Sequence, residues 1–476
     1  MKEYDVVIIG GGVTGCAAAY EFSKYNYKTA LLEKENDIAT GSTKANSALI
    51  HAGYDPDPGT LMARFNARGN QLAHEIAAKL DVPFKKTGSL VLAFSEEERH
   101  EIDHLYHNGK KNGVPVEVWD KAQVLEREPN LSRRVVCALW APTCGIISPW
   151  EYSAAMLETA VRNGVDCYLD SGVLRINQLD GKFIIKTGRD KYAAKYVVNA
   201  AGLYADKVYQ MVGGEGMEIT PVRGEYYLFD KTMGNIVSTV VFQCPTKEGK
   251  GVVVSPTVHG NLFAGPDNHA AAGRDDVATH YDELKYVREM ALKSVPTLDF
   301  SENIRNFAGL RANAADDFIV EESAVPGFIN AAGIKSPGLS SAPAIAERLV
   351  EILDGLGLAA ERKKDYIDER KVVRFNEMTR EQQAEAIRKN PAYGTVVCRC
   401  QTITEGEIIE ILKRPVVPKS IDGIKRRCAA GMGRCQGGFC EPRIHDIISR
   451  TLGMEMKDVM QDVAGTYIVT GETKED

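Results

Sequence analysis

Apolar positions near the start of the chain fall in short runs broken by glycine. Tyr4-Asp5-Val6-Val7-Ile8-Ile9 is largely β-branched, Gly10 to Gly15 follow, and Cys16 to Phe22 continue with small residues. That order predicts a buried strand, a tight turn and a helix. Thr29-Ala30-Leu31-Leu32 reads as a second strand ending at Glu33, and helical periodicity runs from Thr60 to Leu80. Residues 82–141 mix strand and polar-helix patterns, with Gly88 to Ala93 the clearest strand. Pro149 then opens a helix over residues 151–163, and Tyr196 to Gly202 is another apolar run ending in glycine.

Between residues 219 and 301 the pattern alternates, as in Glu225 to Phe229 and Gly251 to Ser255, which predicts antiparallel strands with one face covered. Gly309-Leu310-Arg311 and Phe328 to Gly333 return to the strand-then-glycine style, and Ser341 to Leu353 reads as an amphipathic helix. Residues 361–394 are highly charged and read as a solvated helix and linker. A compact cysteine-rich unit occupies residues 395–455, and residues 456–476 form a polar tail. The fold class is therefore α/β. A Rossmann-like domain (about 1–80, 142–215 and 302–360) is interleaved with an antiparallel-β domain (about 81–141 and 216–301). A small, mainly helical cysteine-cluster domain follows.

At 476 residues the chain has room for several cores, and 44% hydrophobic with 26% charged residues describes a globular protein. A net charge of −7 argues against nucleic acid as the main partner. No apolar run reaches transmembrane length. The first strand begins by Asp5, which leaves no room for a signal peptide and points to the cytoplasm.

The glycine turn carries the first chemistry. Gly10, Gly12 and Gly15 form G-x-G-x-x-G between strand and helix, and Glu33 stands near the spacing of a ribose-binding acid. Together they predict one site for an ADP-containing dinucleotide, with its pyrophosphate at the helix N-terminus. Gly213-Gly214 lacks a preceding strand and reads as a turn. With no second nucleotide site visible, a nicotinamide or quinone acceptor would need another subunit.

Of the ten cysteines, Cys16, Cys137, Cys144, Cys167 and Cys244 are scattered and read as buried thiols. Cys398-Arg399-Cys400 is separated by thirty-four residues from Cys435-Gln436-Gly437-Gly438-Phe439-Cys440. Four thiolates at this spacing suit either a structural zinc or a 2Fe–2S cluster. Cys428 falls outside the four and reads as a bystander.

Several separated motifs resemble one family. Gly10 to Glu33, Ser42 to Tyr54, Asn199 to Asp206 and Pro337-Gly338-Leu339 are similar to the D-amino-acid-oxidase superfamily of FAD enzymes. Asn46 to Gly53 resembles the branch of FAD-dependent glycerol-3-phosphate dehydrogenases and L-2-hydroxyglutarate oxidases. The cysteine unit resembles the bacterioferritin-associated-ferredoxin-like domain, which implies iron over zinc, with Cys398, Cys400, Cys435 and Cys440 as ligands.

The resemblance implies an FAD lying along Gly10, Gly12, Gly15 and Glu33. Ser42, Thr43, Asn46 and Gly202 would line the cofactor, with Gly338 and Leu339 at the isoalloxazine edge. It implies His51 as the base that takes the hydroxyl proton of a small anionic substrate, and Arg311 as the group gripping its anionic end. Arg223 and Lys335 are further candidate anchors. The expected reaction is oxidation of sn-glycerol-3-phosphate, with electrons passing through a 2Fe–2S cluster to a partner redox flavoprotein. An L-2-hydroxyacid dehydrogenase, an amine dehydrogenase of the sarcosine or proline type, and a non-enzymatic electron-transfer or scaffold subunit are the alternatives.

Overall fold

The computed structural model describes residues 1–245, 251–471 and 473–474. The opening strand, Lys2–Ile9, lies inside an eight-stranded sheet, parallel to Thr29–Leu32 on one side and to Lys191–Asn199 on the other. Its position follows from composition. Val6, Val7 and Ile8 are fully buried, so both faces must be covered, which is how a parallel strand reads. Phe328–Ala332 extends the parallel part through Lys191–Asn199. The helices Val13–Phe22, Leu61–Lys79, Pro149–Arg162 and Gly338–Gly355 share one large core on one face of this sheet. Thr60 caps the second by accepting from the Ala63 N–H, and Ser148 with Pro149 starts the third.

A nine-stranded sheet forms the second layer, built mainly of antiparallel pairs around Thr220–Phe229. Its longest strand is Asn303–Asn313, paired with Thr220–Phe229 over the full length of that strand. This corrects the expectation that residues 302–313 belong to the Rossmann-like part. Glycine 309 drew the sequence reading there, but the alternation on either side is that of the antiparallel sheet. A small three-stranded sheet, Leu49–Ile50, Gly145–Ile147 and Phe84–Lys85, sits where the two layers meet.

Residues 361–394 are not simply solvated. Arg370 and Phe375 are buried. Arg370 pairs with Glu158 at 2.9 Å, Arg374 with Asp81 at 3.0 Å, and Asp368 with Lys79 at 2.7 Å and with Tyr20. The segment is a strap across the first domain. Only its helix, Arg380–Lys389, buries nothing, as the charge pattern predicts.

The C-terminal unit has its own core of Val397, Ile403, Ile408, Ile424, Ile444, Ile448 and neighbours. A short hairpin, Val396–Cys398 with Ile403–Thr404, is followed by helices Glu405–Ile411, Ile421–Cys428 and Glu441–Leu452. Thr404 and Glu407 form a reciprocal capping box at the first of these helices.

Candidate functional site

Helix Val13–Phe22 begins at Gly12 with no side-chain cap and no acidic residue in its first turn, so its positive end is open to an anion. A Cβ on Gly12 would meet only Thr43 Oγ1, at 3.4 Å, and would project into the space a pyrophosphate needs. Gly10 has a structural reason as well. Its φ is +111°, and a Cβ there would come within 2.4 Å of the Ala200 carbonyl. That contact also places Ala201, the residue before Gly202, beside the turn. Glu33 is buried, and its carboxylate accepts from Gly11 N at 2.6 Å and Glu35 N at 2.9 Å. Burial pushes its pKa up, opposed by those two backbone donors.

Ser42–Lys44 forms a 3₁₀ turn facing this helix end, with Thr43 Oγ1 accepting from Val13 N at 3.0 Å. Asn46 shapes the turn from within. Its amide donates to the Ser42 and Thr43 carbonyls, and its Oδ1 accepts from Ala48 N at 2.7 Å. These groups fit an FAD: a helix end whose own N-cap residue offers no side chain, a glycine cradle, a buried acid at the end of the neighbouring strand and a polar loop beside them.

His51 follows the Leu49–Ile50 strand of the small sheet. Its N–H donates to Ser340 Oγ at 2.7 Å, and its carbonyl accepts from the Asn66 and Asn70 amides. The ring stands 5.7 Å from that of Phe242. Ser340 belongs to helix Gly338–Gly355, whose N-terminus at Pro337 also has no side-chain cap. His51 and Pro337, the residue before Gly338 and Leu339, both line a cavity of about 10 Å³ together with Tyr54 and Asn66.

Arg311 comes from the other layer. Its guanidinium donates to the Asp267 carbonyl at 3.1 Å and to Asn268 Oδ1 at 3.2 Å, and among the described residues it forms no ion pair with a carboxylate. Gly224, on the adjacent strand, leaves room for it, since a Cβ there would lie 2.4 Å from Arg311 Nη2. Lys335 donates to Asn313 Oδ1 and to the Ala315 carbonyl, just beyond the end of the Arg311 strand.

Arg223 does not behave as expected of an anchor. It is buried and engaged by Glu225 at 3.0 Å, Asp276 at 2.5 Å and Glu283 at 3.5 Å. A guanidinium already neutralised by three carboxylates offers little to a substrate anion. The sequence could not reveal this, because Asp276 and Glu283 lie far along the chain.

Two features escaped the sequence reading. Tyr226 is buried, its hydroxyl is 3.2 Å from Ser47 Oγ, and its ring stacks on Phe307 at 4.6 Å. Burial pushes its pKa up while the nearby Arg311 opposes the rise, so the two side chains share one neighbourhood. A Cβ on Gly309 would fall 1.9 Å from the Ala45 carbonyl, so the second layer touches the cofactor loop backbone to backbone. The inward side of the alternation around Tyr226 was the available signal for the first; for the second there was none.

The cysteines fall into two pairs. Cys400 Sγ and Cys435 Sγ are 3.8 Å apart, and Cys440 hydrogen-bonds Cys398, bringing the Cys398 thiol down to about 6 while its own is raised. Among the described residues no three of these sulfurs come within 4.8 Å of one another. A single zinc with bonds of about 2.3 Å would gather four sulfurs at edges of about 3.8 Å. Two separate pairs fit two irons, each taking one pair. Cys428 stays outside, its thiol bonded to the Ile424 carbonyl at 3.4 Å in its own helix.

The cysteine domain is fixed to the first domain by charge. Asp37 is fully buried and accepts from Arg427 at 2.8 Å and Arg426 at 3.0 Å. Arg426 also pairs with Asp462, which holds Lys44 of the cofactor loop at 2.9 Å. On the other side Arg434 pairs with Asp230 and Glu302, and Arg305 donates to Gln436 at 3.2 Å. No helix among the described residues is long and apolar enough to cross a membrane.

Residues 5–352 match the FAD dependent oxidoreductase (DAO) family and residues 396–450 the BFD-like 2Fe–2S binding domain. A glycerol 3-phosphate dehydrogenase from Caloramator mitchellensis is 50% identical over 475 residues, covering 99% of each chain. A mitochondrial L-2-hydroxyglutarate dehydrogenase from Caenorhabditis briggsae is 32% identical over 288 residues, covering 58% of this chain and 66% of that protein. The FAD-bound, dithionite-reduced L-α-glycerophosphate oxidase of Mycoplasma pneumoniae superposes with a TM-score of 0.75 at 30% identity, over 79% of this chain and 100% of that one. The chain belongs to the FAD-dependent oxidoreductase (DAO) family and carries, C-terminal to that fold, a BFD-like 2Fe–2S binding domain.

Proposed function

We propose that the protein is an FAD-dependent dehydrogenase that oxidises sn-glycerol-3-phosphate to dihydroxyacetone phosphate and passes the electrons, through its cysteine domain, to a separate redox protein. The observation that carries the reading is the correspondence with a glycerol 3-phosphate dehydrogenase along 99% of the chain, both domains included. Bound FAD supplies the hydride acceptor, and the four paired cysteines hold a cluster that handles one electron at a time.

The chain's own groups have distinct tasks. His51 accepts the hydroxyl proton, which requires its neutral imidazole. Its backbone is pinned by Ser340, Asn66 and Asn70, so the ring is aimed by a rigid frame. Arg311 binds the phosphate in two-pronged fashion, for which its planar guanidinium is suited. Lys335 adds a second cation at the end of the same strand. The Ser42–Asn46 turn, held by its internal bonds, stands beside the phosphate-binding helix end through Thr43.

A second reading, oxidation of an L-2-hydroxyacid, draws support from the similarity to an L-2-hydroxyglutarate dehydrogenase. Anaerobic flavin bleaching decides between them. The proposal expects glycerol-3-phosphate to bleach the flavin much faster than L-2-hydroxyglutarate, proline or sarcosine. Faster bleaching by hydroxyglutarate would transfer the assignment to the second reading, and no bleaching by any of them would leave a scaffold.

A further inference from the structure

One aromatic side chain of the cysteine loop is not used by the fold. Phe439, between Gly438 and the ligand Cys440, is 77% exposed, and among the described residues no other phenylalanine is exposed. Val396, at the start of the hairpin that carries Cys398, is 36% exposed. Arg443, one helical turn beyond Phe439, ties the two together by donating to the Val396 carbonyl at 3.5 Å. Arg399, between Cys398 and Cys400, is exposed, as is Cys400 itself.

Two exposed arginines, Arg399 and Arg443, flank Phe439 in this part of the domain. Among the described residues neither Arg399 nor Arg443 has an acidic partner. Glu441, the nearest acid in sequence, is half-buried and engaged, its carboxylate accepting from Gln461 at 3.4 Å and lying against Gly437. The opposite flank of the loop is already occupied, since Arg434 and Gln436 are stapled to Asp230, Glu302 and Arg305 of the second layer. The chain as a whole carries −7, so an unpaired positive rim around an exposed aromatic runs against its general sign. An aromatic anchor flanked by two arginines is the composition of a protein interface, and basic partners are disfavoured at it.

We propose that the face formed by Phe439, Val396, Arg399 and Arg443 docks an acidic one-electron carrier protein, with Phe439 entering an apolar depression and the arginines meeting a ring of carboxylates. This rests on the proposed exit of electrons through the cysteine domain. Oxidation of one substrate CH–OH releases two electrons and two protons, so two carrier molecules are each reduced by one electron per ketone formed, and the protons pass to solvent.

The test uses the holoprotein and two c-type cytochromes of similar potential, one acidic and one basic. Titration calorimetry between fully oxidised proteins measures binding with no turnover. The acidic cytochrome should bind, with an affinity that falls steeply as salt is raised. Arg443→Glu should weaken it about tenfold or more and Phe439→Ala several-fold, both variants keeping the wild-type visible spectrum and reduction of a small dye. No binding of the acidic cytochrome, a preference for the basic one, or equal binding by wild type and both variants would overturn the proposal. So would binding of anionic phospholipid vesicles through this face with the acidic cytochrome ignored. Reduction of the acidic cytochrome separates this claim from the one it rests on. If Cys435→Ser stops that reduction while Phe439→Ala and Arg443→Glu leave it and the binding intact, the electron path stands and this face falls. If Cys435→Ser leaves it unchanged, the path itself is wrong.

Discussion

His51 leaves its short strand with both backbone polar groups held, the N–H by Ser340 and the carbonyl by the Asn66 and Asn70 amides. Truncating its ring should therefore leave the loop in place. We expect His51→Ala to slow flavin reduction by about 10²–10⁴-fold, the usual worth of a general base, with a small change in substrate affinity. Anaerobic stopped-flow at varied substrate separates the two effects. Arg311 should divide the other way. Arg311→Lys keeps the charge and loses the fork, so substrate binding weakens while the limiting rate holds. Gly224→Ala makes the same point without touching the arginine, because the added methyl displaces the Arg311 guanidinium. It should raise KM with FAD content unchanged. Arg223 and Arg311 look alike in sequence, each within two residues of a glycine. Their fates differ because of carboxylates supplied from elsewhere in the chain, which no local pattern records.

The element that decides how the cysteine domain sits is helix Ile421–Cys428. It places Arg426 and Arg427 on Asp37, in the loop behind the phosphate-binding turn. Burial alone would raise the Asp37 carboxyl, but the two guanidinium groups outweigh it and hold the pKa below the ordinary range. A depressed acid stabilises the folded form above its unfolded pKa and loses that contribution as pH falls through the folded value. Docking of the domain should thus persist at neutral pH and begin to weaken only below about pH 4, with the loss completed as pH falls through the lower folded value, which hydrogen exchange along residues 395–462 can follow. Asp37→Asn leaves two buried cations short of a counter-charge and should cost about 3–5 kcal/mol of stability, seen as a lowered unfolding midpoint and looser flavin. The helices, the first strands and the glycine turn were legible from periodicity and residue size alone. The strap over residues 361–394 was not, since a run of charges reads the same whether its partners are water or Glu158, Asp81 and Glu151.

At the scale of the whole molecule, the two layers meet at Gly309 and Ala45, and the cysteine domain touches both layers, through Asp37 on one side and Asp230 and Glu302 on the other. The interleaving of the layers was readable from the switch between buried runs and alternation, although the strand Asn303–Asn313 changes sides. Metal analysis of the holoprotein should give about two irons per chain and no stoichiometric zinc, as two thiolate pairs require. The arrangement as a whole has one purpose in our account, to carry electrons from a substrate held between the layers out through the cysteine domain. Cys435→Ser, read with two acceptors on folded, flavin-loaded protein, tests that most directly. Reduction of a small dye that reaches the flavin should continue near the wild-type rate, while reduction of a one-electron carrier protein should stop. Carrier reduction at the undiminished rate would contradict the account and leave the domain as a docking element.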